Sequence, residues 1–259
     1  MKPFVIVTGA TGYFGRYFVD HLKTQYQVIA FGRDQSKLDN LFASDVIKVR
    51  VDLQDTQQVR EKTQEILKQY PVFGLVNNAY PLNSQSGFNT PNGQLAKHDI
   101  NMFGAAFDCG LFSPFIMIQE LGNHLIEQGK PGAIVNISSM YASVAPDPNL
   151  YVGKTTFNPI SYGMVKAAME YMTKYVASFW GSHNIRCNAI APGSFPNIEF
   201  SSENATKDDE FIQRLVAKTC SNRVGHPKDL LGILSLLLSS EGSYINGQVI
   251  PVDGGWTVR

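Results

Sequence analysis

The alternation of short apolar runs with longer helical stretches is the feature that most constrains this chain. The short runs are continuously apolar, which is typical of parallel strands covered by helices on both faces. Strands and helices that alternate in this way, joined by right-handed crossovers, predict an α/β fold with a doubly wound, parallel, seven-stranded sheet. The predicted strands are Phe4–Val7, Gln27–Phe31, Val46–Val51, Val72–Val76, Gly132–Ser138, Ile185–Ile190 and Gln248–Val252.

The whole chain, 1–259, is predicted to form one domain. Its 259 residues are many for one domain, but doubly wound folds reach this size, and no linker or repeat interrupts the pattern. Two irregular stretches, about 140–160 and 191–209, are rich in residues that favour turns. Because ligands bind beyond the carboxyl ends of the strands in this fold, we expect both stretches to form substrate loops.

Charge and cysteine content bear on partners and compartment. The 22 basic and 22 acidic residues balance, and the basic ones are scattered, so neither nucleic acid nor a membrane is favoured as a partner. No apolar run reaches about 18 residues, and the N-terminus lacks a signal-peptide core. Cys109, Cys187 and Cys220 are too far apart for a disulfide framework or a metal site. We therefore expect a cytoplasmic protein with a small-molecule substrate, no metal and three buried thiols.

A glycine-rich turn follows the first predicted strand directly. Its glycines permit a sharp bend and a close approach of the backbone to a pyrophosphate. The next helix offers its first N–H groups and the positive end of its dipole to that anion. A plain tight turn would show the same glycines, but their position after an N-terminal strand favours a dinucleotide site. The predicted cofactor residues in this turn are Gly9, Thr11, Gly12, Tyr13, Phe14 and Gly15.

The end of the second strand should select the cofactor. An acidic side chain there would accept hydrogen bonds from the ribose 2′-hydroxyl of NAD. We place Gly32 at that position and Arg33 after it, where a guanidinium can pair with the 2′-phosphate of NADP. NADP(H) is therefore favoured; NAD(H) is the alternative, since a slip of one residue would give Asp34 the acidic role. After the third strand, Asp52 either receives the adenine amino group or caps the next helix, and Leu53 is assigned with it.

Tyr162 and Lys166 lie four residues apart at the start of a strongly helical stretch, so both side chains can face one cleft. A neighbouring ammonium favours the phenolate, and a tyrosine with a lowered pKa can exchange protons with an alcohol near neutral pH. Ser139, at the end of the fifth strand, can donate a hydrogen bond to the substrate oxygen. Tyr162 and Lys166 are also assigned to the cofactor, since Lys166 would hydrogen-bond the nicotinamide ribose. The alternative pair, Tyr151 and Lys154, lies in a loop that would hold it poorly.

Several further motifs occur in a fixed order along the chain. They are Thr8-Gly9, Asn77-Asn78-Ala79, Asn101, Ser139, Tyr162 with Lys166, Arg186 to Gly193, and Val252-Asp253-Gly254-Gly255. Together they resemble the short-chain dehydrogenase/reductase family over essentially the whole chain. The resemblance implies a Rossmann-type fold and a homodimer or homotetramer.

The family resemblance also implies a set of site residues. Its catalytic tetrad would be Asn101, Ser139, Tyr162 and Lys166. Asn101, in a predicted long helix, would hold a water that connects Lys166 to solvent, or else serve only as a packing amide. The cofactor cleft would include Asn78 and Ala79, with Pro192 and Gly193 beside the nicotinamide.

The chain also departs from the family pattern. Its turn has Tyr13 where the short branch has a glycine, and the Gly12 spacing resembles the extended branch, which modifies nucleotide sugars. Tyr80 replaces a glycine after Asn77-Asn78-Ala79, which puts an aromatic side chain near the cleft. With the long proline-rich loop and Gly193-Ser194-Phe195-Pro196-Asn197, these features resemble bacterial relatives in flagellin and surface-polysaccharide sugar pathways.

Three functional hypotheses follow from these motifs. The leading one is an NAD(P)(H)-dependent oxidoreductase that interconverts a carbonyl and a secondary alcohol, on a sugar-derived substrate in surface glycan biosynthesis. An epimerase or dehydratase with tightly bound nicotinamide is the alternative that the extended-branch spacing implies. The third is a non-catalytic NADP(H) sensor, although atypical relatives of that kind tend to lose the tyrosine or the lysine.

Overall fold

The protein is described by a computed structural model over residues 2–82, 84–197 and 209–258. The strands are β1 (Phe4–Thr8), β2 (Gln27–Gly32), β3 (Ile47–Arg50), β4 (Val72–Asn77), β5 (Gly132–Ile137), β6 (Ile185–Pro192) and β7 (Val249–Val252). They form one parallel sheet in the order β3-β2-β1-β4-β5-β6-β7, which confirms the predicted topology. The ends of the strands differ from the predicted ends by at most two residues.

Helices cover both faces of the sheet. They are α1 (Tyr13–Leu22), α2 (Gln35–Leu41), α3 (Thr56–Gln69), α4 (Asn101–Phe107), α5 (Ser113–Glu127), α6 (Ile160–Trp180), α7 (Asp209–Lys218) and α8 (Leu231–Leu238). One core contains Ile66 of α3 and Leu121 of α5, together with residues of α6. The other contains Phe18 of α1, Leu38 of α2 and Leu234 of α8.

The first strand shows why the apolar runs are continuous. Val5 and Val7 belong to the core beneath α1 and α8, whereas Ile6 belongs to the core beneath α3 and α5. Successive side chains of a strand point to opposite faces, so every position of β1 meets a helical layer and none can be polar without cost. The continuous apolar run in the sequence therefore arises because the two faces of the strand pack into two separate cores.

The sheet brings the predicted site to one edge. Because all strand pairs are parallel, the turn after β1 and the ends of β4 and β5 emerge side by side. The strand order changes direction at β1, and in such folds the crevice at that point holds the ligand. The predicted loop 140–160 contains two short 3₁₀ turns, Met140–Ala142 and Pro148–Tyr151. Of the second predicted loop, residues 198–208 lie outside the described residues.

The helical run Asn101–Glu127 is long and apolar enough to cross a membrane by length and composition, with a mean hydropathy of 1.3. It consists of α4, a π-helical segment at Asp108–Phe112, and α5. In the fold, α5 packs against α3 and β4, and Leu121 is fully buried. Core helices can have the same length and composition, and 44% of the apolar window in this run is buried.

The cysteines differ in their surroundings. Cys109 and Cys187 are buried, as expected. Cys220 is exposed, and its Sγ contacts the carbonyl oxygen of Gly255 at 3.1 Å, so the expectation of three buried thiols was wrong for this residue. Its position after the end of α7 places it beyond the packed layers.

Candidate active site

The glycine turn after β1 has the geometry of an anion site. Gly9 has a φ of +61°, and a Cβ at Gly9 would lie 2.9 Å from the Cα of Ala79. Gly12 precedes α1 in an extended conformation, and no side chain caps the helix. A Cβ at Gly15 would lie 2.1 Å from the carbonyl oxygen of Gly9. The residues present thus fit a pyrophosphate, because the backbone is bare and the positive end of the helix is uncovered.

Asn78 fixes the turn to the neighbouring strand. Its Nδ2 donates to the carbonyl oxygens of Thr8 at 3.0 Å and Gly9 at 3.2 Å. In return, Thr8 Oγ1 accepts the backbone N–H groups of Asn78 at 2.9 Å and Ala79 at 3.1 Å. Asn78 and Ala79 therefore hold the shape of the cleft, and contact between them and a cofactor stays a prediction.

At the end of β2, Asp34 has a structural partner that favours the assignment without a slip. The carboxylate of Asp34 accepts the backbone N–H of Lys37 at 3.1 Å and caps α2. One oxygen of this exposed carboxylate is therefore used by the helix cap. Gly32, at the position where NAD-dependent relatives carry an acidic residue, has no side chain, and the next residue, Arg33, is exposed. Both observations agree with the predicted placement of Gly32 and Arg33.

A surface cavity of about 360 Å³ lies at this corner and is lined by Arg33, Arg50, Asp52, Gln58 and Lys62. Arg50 is in register with the last residue of β2 on the neighbouring strand. The Asp52 carboxylate accepts the N–H of Gln54 at 3.0 Å. Two exposed guanidiniums on adjacent strands give this cavity a positive rim that fits a phosphate.

The structure argues against the capping role of Asp52, while its contact with adenine stays a prediction. The residue that caps α3 is Asp55, whose carboxylate accepts the N–H of Gln58 at 3.0 Å. Asp52 lines the cavity instead. Leu53 is buried, and its carbonyl oxygen accepts the hydroxyl of Ser113 at 2.7 Å. The side chain of Leu53 therefore belongs to the hydrophobic core, and its contact with a cofactor stays a prediction.

Three of the four predicted catalytic residues meet at the carboxyl edge. Ser139 follows β5, and Tyr162 and Lys166 lie one turn apart at the start of α6. The Ser139 hydroxyl lies close enough to the Tyr162 phenol to favour its ionised form, and Ser139 Oγ accepts the N–H of Tyr141 at 3.1 Å. Lys166 Nζ lies 5.7 Å from the centre of the Tyr162 ring and donates to the carbonyl oxygen of Ile137 at 2.6 Å.

Burial dominates the electrostatics of this pair. It lowers the pKa of Lys166 from 10.5 to about 8, with the Cys109 thiol opposing that shift. Burial also raises the pKa of Tyr162 above its ordinary value, and the hydrogen bond with Ser139 only opposes this. The prediction of an acidic phenol was therefore wrong for this structure, because the loss of hydration disfavours the phenolate more than its neighbours favour it.

Asn101 does not join the other three residues. It is the first residue of α4, its side chain is exposed, and its backbone N–H donates to Asp99 Oδ1 at 2.8 Å. Lys166 is only 2% exposed, so an asparagine on the outer surface cannot hold a water beside it. Cys109 and Gly110, two turns further along, face this region instead. The relay prediction for Asn101 was wrong because the helix begins at this residue.

Pro192 and Gly193 lie at the end of β6. The N–H of Gly193 donates to the carbonyl oxygen of Val252 at 3.0 Å, and a Cβ at Gly193 would lie 2.5 Å from the Cα of Asp253. This glycine is required by the close packing of two chain segments. Its place beside a nicotinamide stays a prediction.

Tyr80 is a site residue whose role was not assigned from the sequence, although its departure from the family pattern was the signal. Its ring packs edge-on against Tyr162, with centroids 4.9 Å apart.

Among the described residues, no group of three His, Cys, Asp or Glu side chains could hold a metal ion.

Comparison with known proteins gives matches over most of the chain. A family model described as enoyl-(acyl carrier protein) reductase matches residues 26–257. The 7alpha-hydroxysteroid dehydrogenase of Bacteroides fragilis is 27% identical over 264 residues, covering 98% of this chain and 94% of that protein. A short-chain dehydrogenase from Leptospira borgpetersenii, solved with bound NAD⁺, has a TM-score of 0.84 and 28% identity and covers 99% of this chain and 93% of its own.

A shorter match has higher identity. The 2-dehydro-3-deoxy-D-gluconate 5-dehydrogenase of Escherichia coli (strain K12) is 33% identical over 147 residues, which cover 57% of this chain and 53% of that protein. The chain thus spans about half the length of this curated relative. None of these three relatives is named for flagellin or surface-polysaccharide modification, so that part of the resemblance gains no support.

Proposed function

Because the chain belongs to the short-chain dehydrogenase/reductase family, we propose that it is an NAD(P)(H)-dependent oxidoreductase that interconverts a carbonyl and a secondary alcohol. The observation that carries this proposal is the meeting of Ser139, Tyr162 and Lys166 beside an uncapped glycine turn. A proton donor, a hydrogen-bond donor for an oxygen and a buried ammonium are the groups that the reaction needs.

In the direction of reduction, Tyr162 Oη gives its proton to the oxygen of the nascent alkoxide, and in oxidation it takes the alcohol proton. The raised pKa of Tyr162 keeps the phenol protonated at neutral pH, which is the form that reduction requires. Ser139 Oγ lies within hydrogen-bonding reach of the phenol and orients the substrate oxygen. The Lys166 ammonium stabilises the phenolate that remains. When bound, a nicotinamide cofactor supplies the hydride acceptor or donor.

We propose NADP(H) as the preferred cofactor and NAD(H) as the alternative. The bare glycine turn would receive the pyrophosphate, and the cavity beside Arg33 would receive the adenosine end. Arg33 and Arg50 supply two exposed cations at the end of β2 and β3, and the carboxylate of Asp34 is committed elsewhere. The Leptospira borgpetersenii protein was solved with NAD⁺, so direct competition between the two cofactors is the required test.

The proposed substrate is a polar, sugar-derived ketone or secondary alcohol. Its support is the loop 140–160, where the phenols of Tyr141 and Tyr151 lie near each other and near Tyr162. The Tyr151 ring also packs on Phe157 at 4.4 Å. Phenols and ring faces of this kind bind hydroxylated carbon skeletons. The proposal that this substrate comes from surface glycan biosynthesis is supported only by the loop motifs of the sequence.

The test is a scan of purified protein with NADPH and NADH against keto-sugars, sugar acids and simple ketones. The absorbance of the reduced nicotinamide measures the turnover of each substrate. Tyr162→Phe should lose turnover at least about 10³-fold while retaining cofactor binding. Tyr171→Phe, on the exposed face of the same helix, is the matched control and should keep the wild-type rate. An unchanged rate in Tyr162→Phe would refute the assignment. Turnover with retained cofactor and no net absorbance change would indicate the epimerase or dehydratase alternative.

We further propose a cytoplasmic homodimer or homotetramer with no nucleic-acid or membrane partner. The support for self-association is a stripe on α6, where Tyr171, Tyr175 and Phe179 are 70%, 58% and 66% exposed at intervals of four residues. Phe112, at the end of the π-helical segment, and Phe115, in the first turn of α5, are also half exposed. Side chains spaced by four share one helix face, so these rings form an apolar surface that suits a second copy of the chain.

A further inference from the structure

The ring of Tyr80 contacts the proposed proton donor directly. Tyr80 packs against Tyr162 at 4.9 Å with an interplanar angle of 86°, the edge-to-face geometry that aromatic pairs prefer. Phe88 packs against the same Tyr162 ring at 5.3 Å and 66°. The phenol of Tyr162 is thus held by two rings that come from the chain between β4 and α4.

The same ring also lies beside the buried ammonium. Lys166 Nζ is 5.5 Å from the centre of the Tyr80 ring and 5.7 Å from the centre of the Tyr162 ring. Both distances are within the range of about 6 Å over which a ring face attracts a cation. The carbonyl oxygen of Ile137 is the acceptor for this ammonium at 2.6 Å. The aromatic faces therefore replace part of the hydration that burial removes.

Gly110 makes room for this arrangement. A Cβ on Gly110 would lie 3.0 Å from Cδ2 of Tyr80 and 2.7 Å from Cγ1 of Val165. Any larger residue would push the Tyr80 ring or the start of α6. The π-helical segment that contains Gly110 brings this backbone close to the ring, and such segments frequently lie at functional sites.

We infer that Tyr80 is a positioning residue: its ring holds the Lys166 ammonium and the Tyr162 ring in the relative positions that proton transfer requires. This inference rests on the proposed function. The other titratable groups around the ammonium are Tyr162 itself and the Cys109 thiol. Glu170, one turn further along α6, is occupied by a hydrogen bond from Ser138 at 2.8 Å.

Two substitutions at Tyr80 separate the ring from the hydroxyl. Tyr80→Phe keeps the ring and should retain kcat within about threefold. Tyr80→Leu keeps an apolar side chain at this half-buried position but removes the ring face, so kcat should fall about 10- to 100-fold with the Kd for NADPH nearly unchanged. The ¹³Cε resonance of Lys166, assigned by its absence from Lys166→Met, should titrate at a pKa lower by about 0.5 to 1 in Tyr80→Leu.

Glycine substitutions test the same contact without changing Tyr80. Gly110→Ala should displace the ring and lower both kcat and the pKa of Lys166 in the same direction as Tyr80→Leu. Gly104→Ala, on α4 where a Cβ would meet nothing within 4 Å, is the matched control and should behave as the wild type. Circular dichroism of each variant checks that the fold persists, and Gly110→Ala serves if Tyr80→Leu does not fold.

The possible outcomes separate this inference from the proposed function. A Tyr80→Leu protein with wild-type kcat and an unshifted Lys166 titration would overturn the role of the ring. Equal losses in Tyr80→Phe and Tyr80→Leu would also overturn it, since the hydroxyl would then be the active feature. If the wild-type protein turned over no substrate, the proposed function would fail, whereas the Lys166 titration would still report on the ring.

Discussion

Lys166 combines deep burial with a charge, and few side chains in a folded protein do so. It is 2% exposed, and its ammonium has one backbone acceptor and two ring faces nearby. Its pKa of about 8 lies below the ordinary 10.5 because burial disfavours the charged form more than these neighbours favour it. The residue is therefore kept at a cost in stability, which is typical of functional sites.

This cost predicts a pH dependence of stability. Between pH 8 and 10.5 the unfolded chain binds more protons at Lys166 than the folded one, so folded-state stability should rise with pH through this window. The gain amounts to about 3 kcal/mol if the full shift is realised. Lys166→Met should lack this gain, and urea unfolding of both proteins at pH 7.5 and 10 measures the difference. Equal pH dependence in the two proteins would contradict the buried charge.

At the same scale, the two arginines of the adenosine cavity predict cofactor preference. Arg33→Ala or Arg50→Ala should weaken NADPH binding by about 10- to 100-fold through loss of charge-assisted hydrogen bonds, and NADH binding by far less. Titration of protein fluorescence with each cofactor measures both constants. Lys130→Ala removes an exposed charge outside this cavity and should change neither. Equal losses of affinity for the two cofactors would show that these guanidiniums do not recognise the 2′-phosphate.

At the scale of elements, α5 approaches the end of α6 closely at one glycine. A Cβ on Gly122 of α5 would lie 2.2 Å from Cζ3 of Trp180 at the end of α6. The glycine therefore sets how closely the two helices approach. Tyr162 and Lys166 lie at the other end of the same helix, so this contact bears on the stability of the fold rather than on the site.

Alanine substitutions at two helical glycines should change the free energy of unfolding in opposite directions. Gly122→Ala should destabilise the fold by about 1–3 kcal/mol, because the indole of Trp180 must move. Gly232→Ala on α8, where a Cβ would meet nothing within 4 Å, should stabilise it by up to about 1 kcal/mol through helix propensity. Thermal and urea unfolding of both variants test the pair. Stabilisation by Gly122→Ala would show that the indole moves freely.

For the whole molecule, the exposed aromatic stripe of α6 predicts self-association. Tyr175→Asp should place a charge in the centre of the proposed interface and shift the protein to a smaller species in light scattering. Tyr244→Asp is the matched control, since Tyr244 is fully exposed and lies outside α6. A monomeric wild-type protein, or a variant that keeps the wild-type mass, would contradict the interface on α6.

Much of the architecture follows from the sequence by itself, because it depends on local patterns. Continuous apolar runs such as Val5 to Val7 require two cores, and parallel strands with helical crossovers then fix the edge where the site forms. The interval of four between Tyr162 and Lys166 puts both on one helix face. Glycines directly after β1 leave a bare helix end.

Only the tertiary structure decided which distant residues surround those two side chains. It placed Asn101 on the surface and brought Gly110, Cys109 and Tyr80 to the buried ammonium. It also reversed the expected direction of the pKa of Tyr162. The physical reason is that burial and electrostatics sum over neighbours remote in sequence, whereas periodicity and spacing describe only what lies within a few residues of the chain.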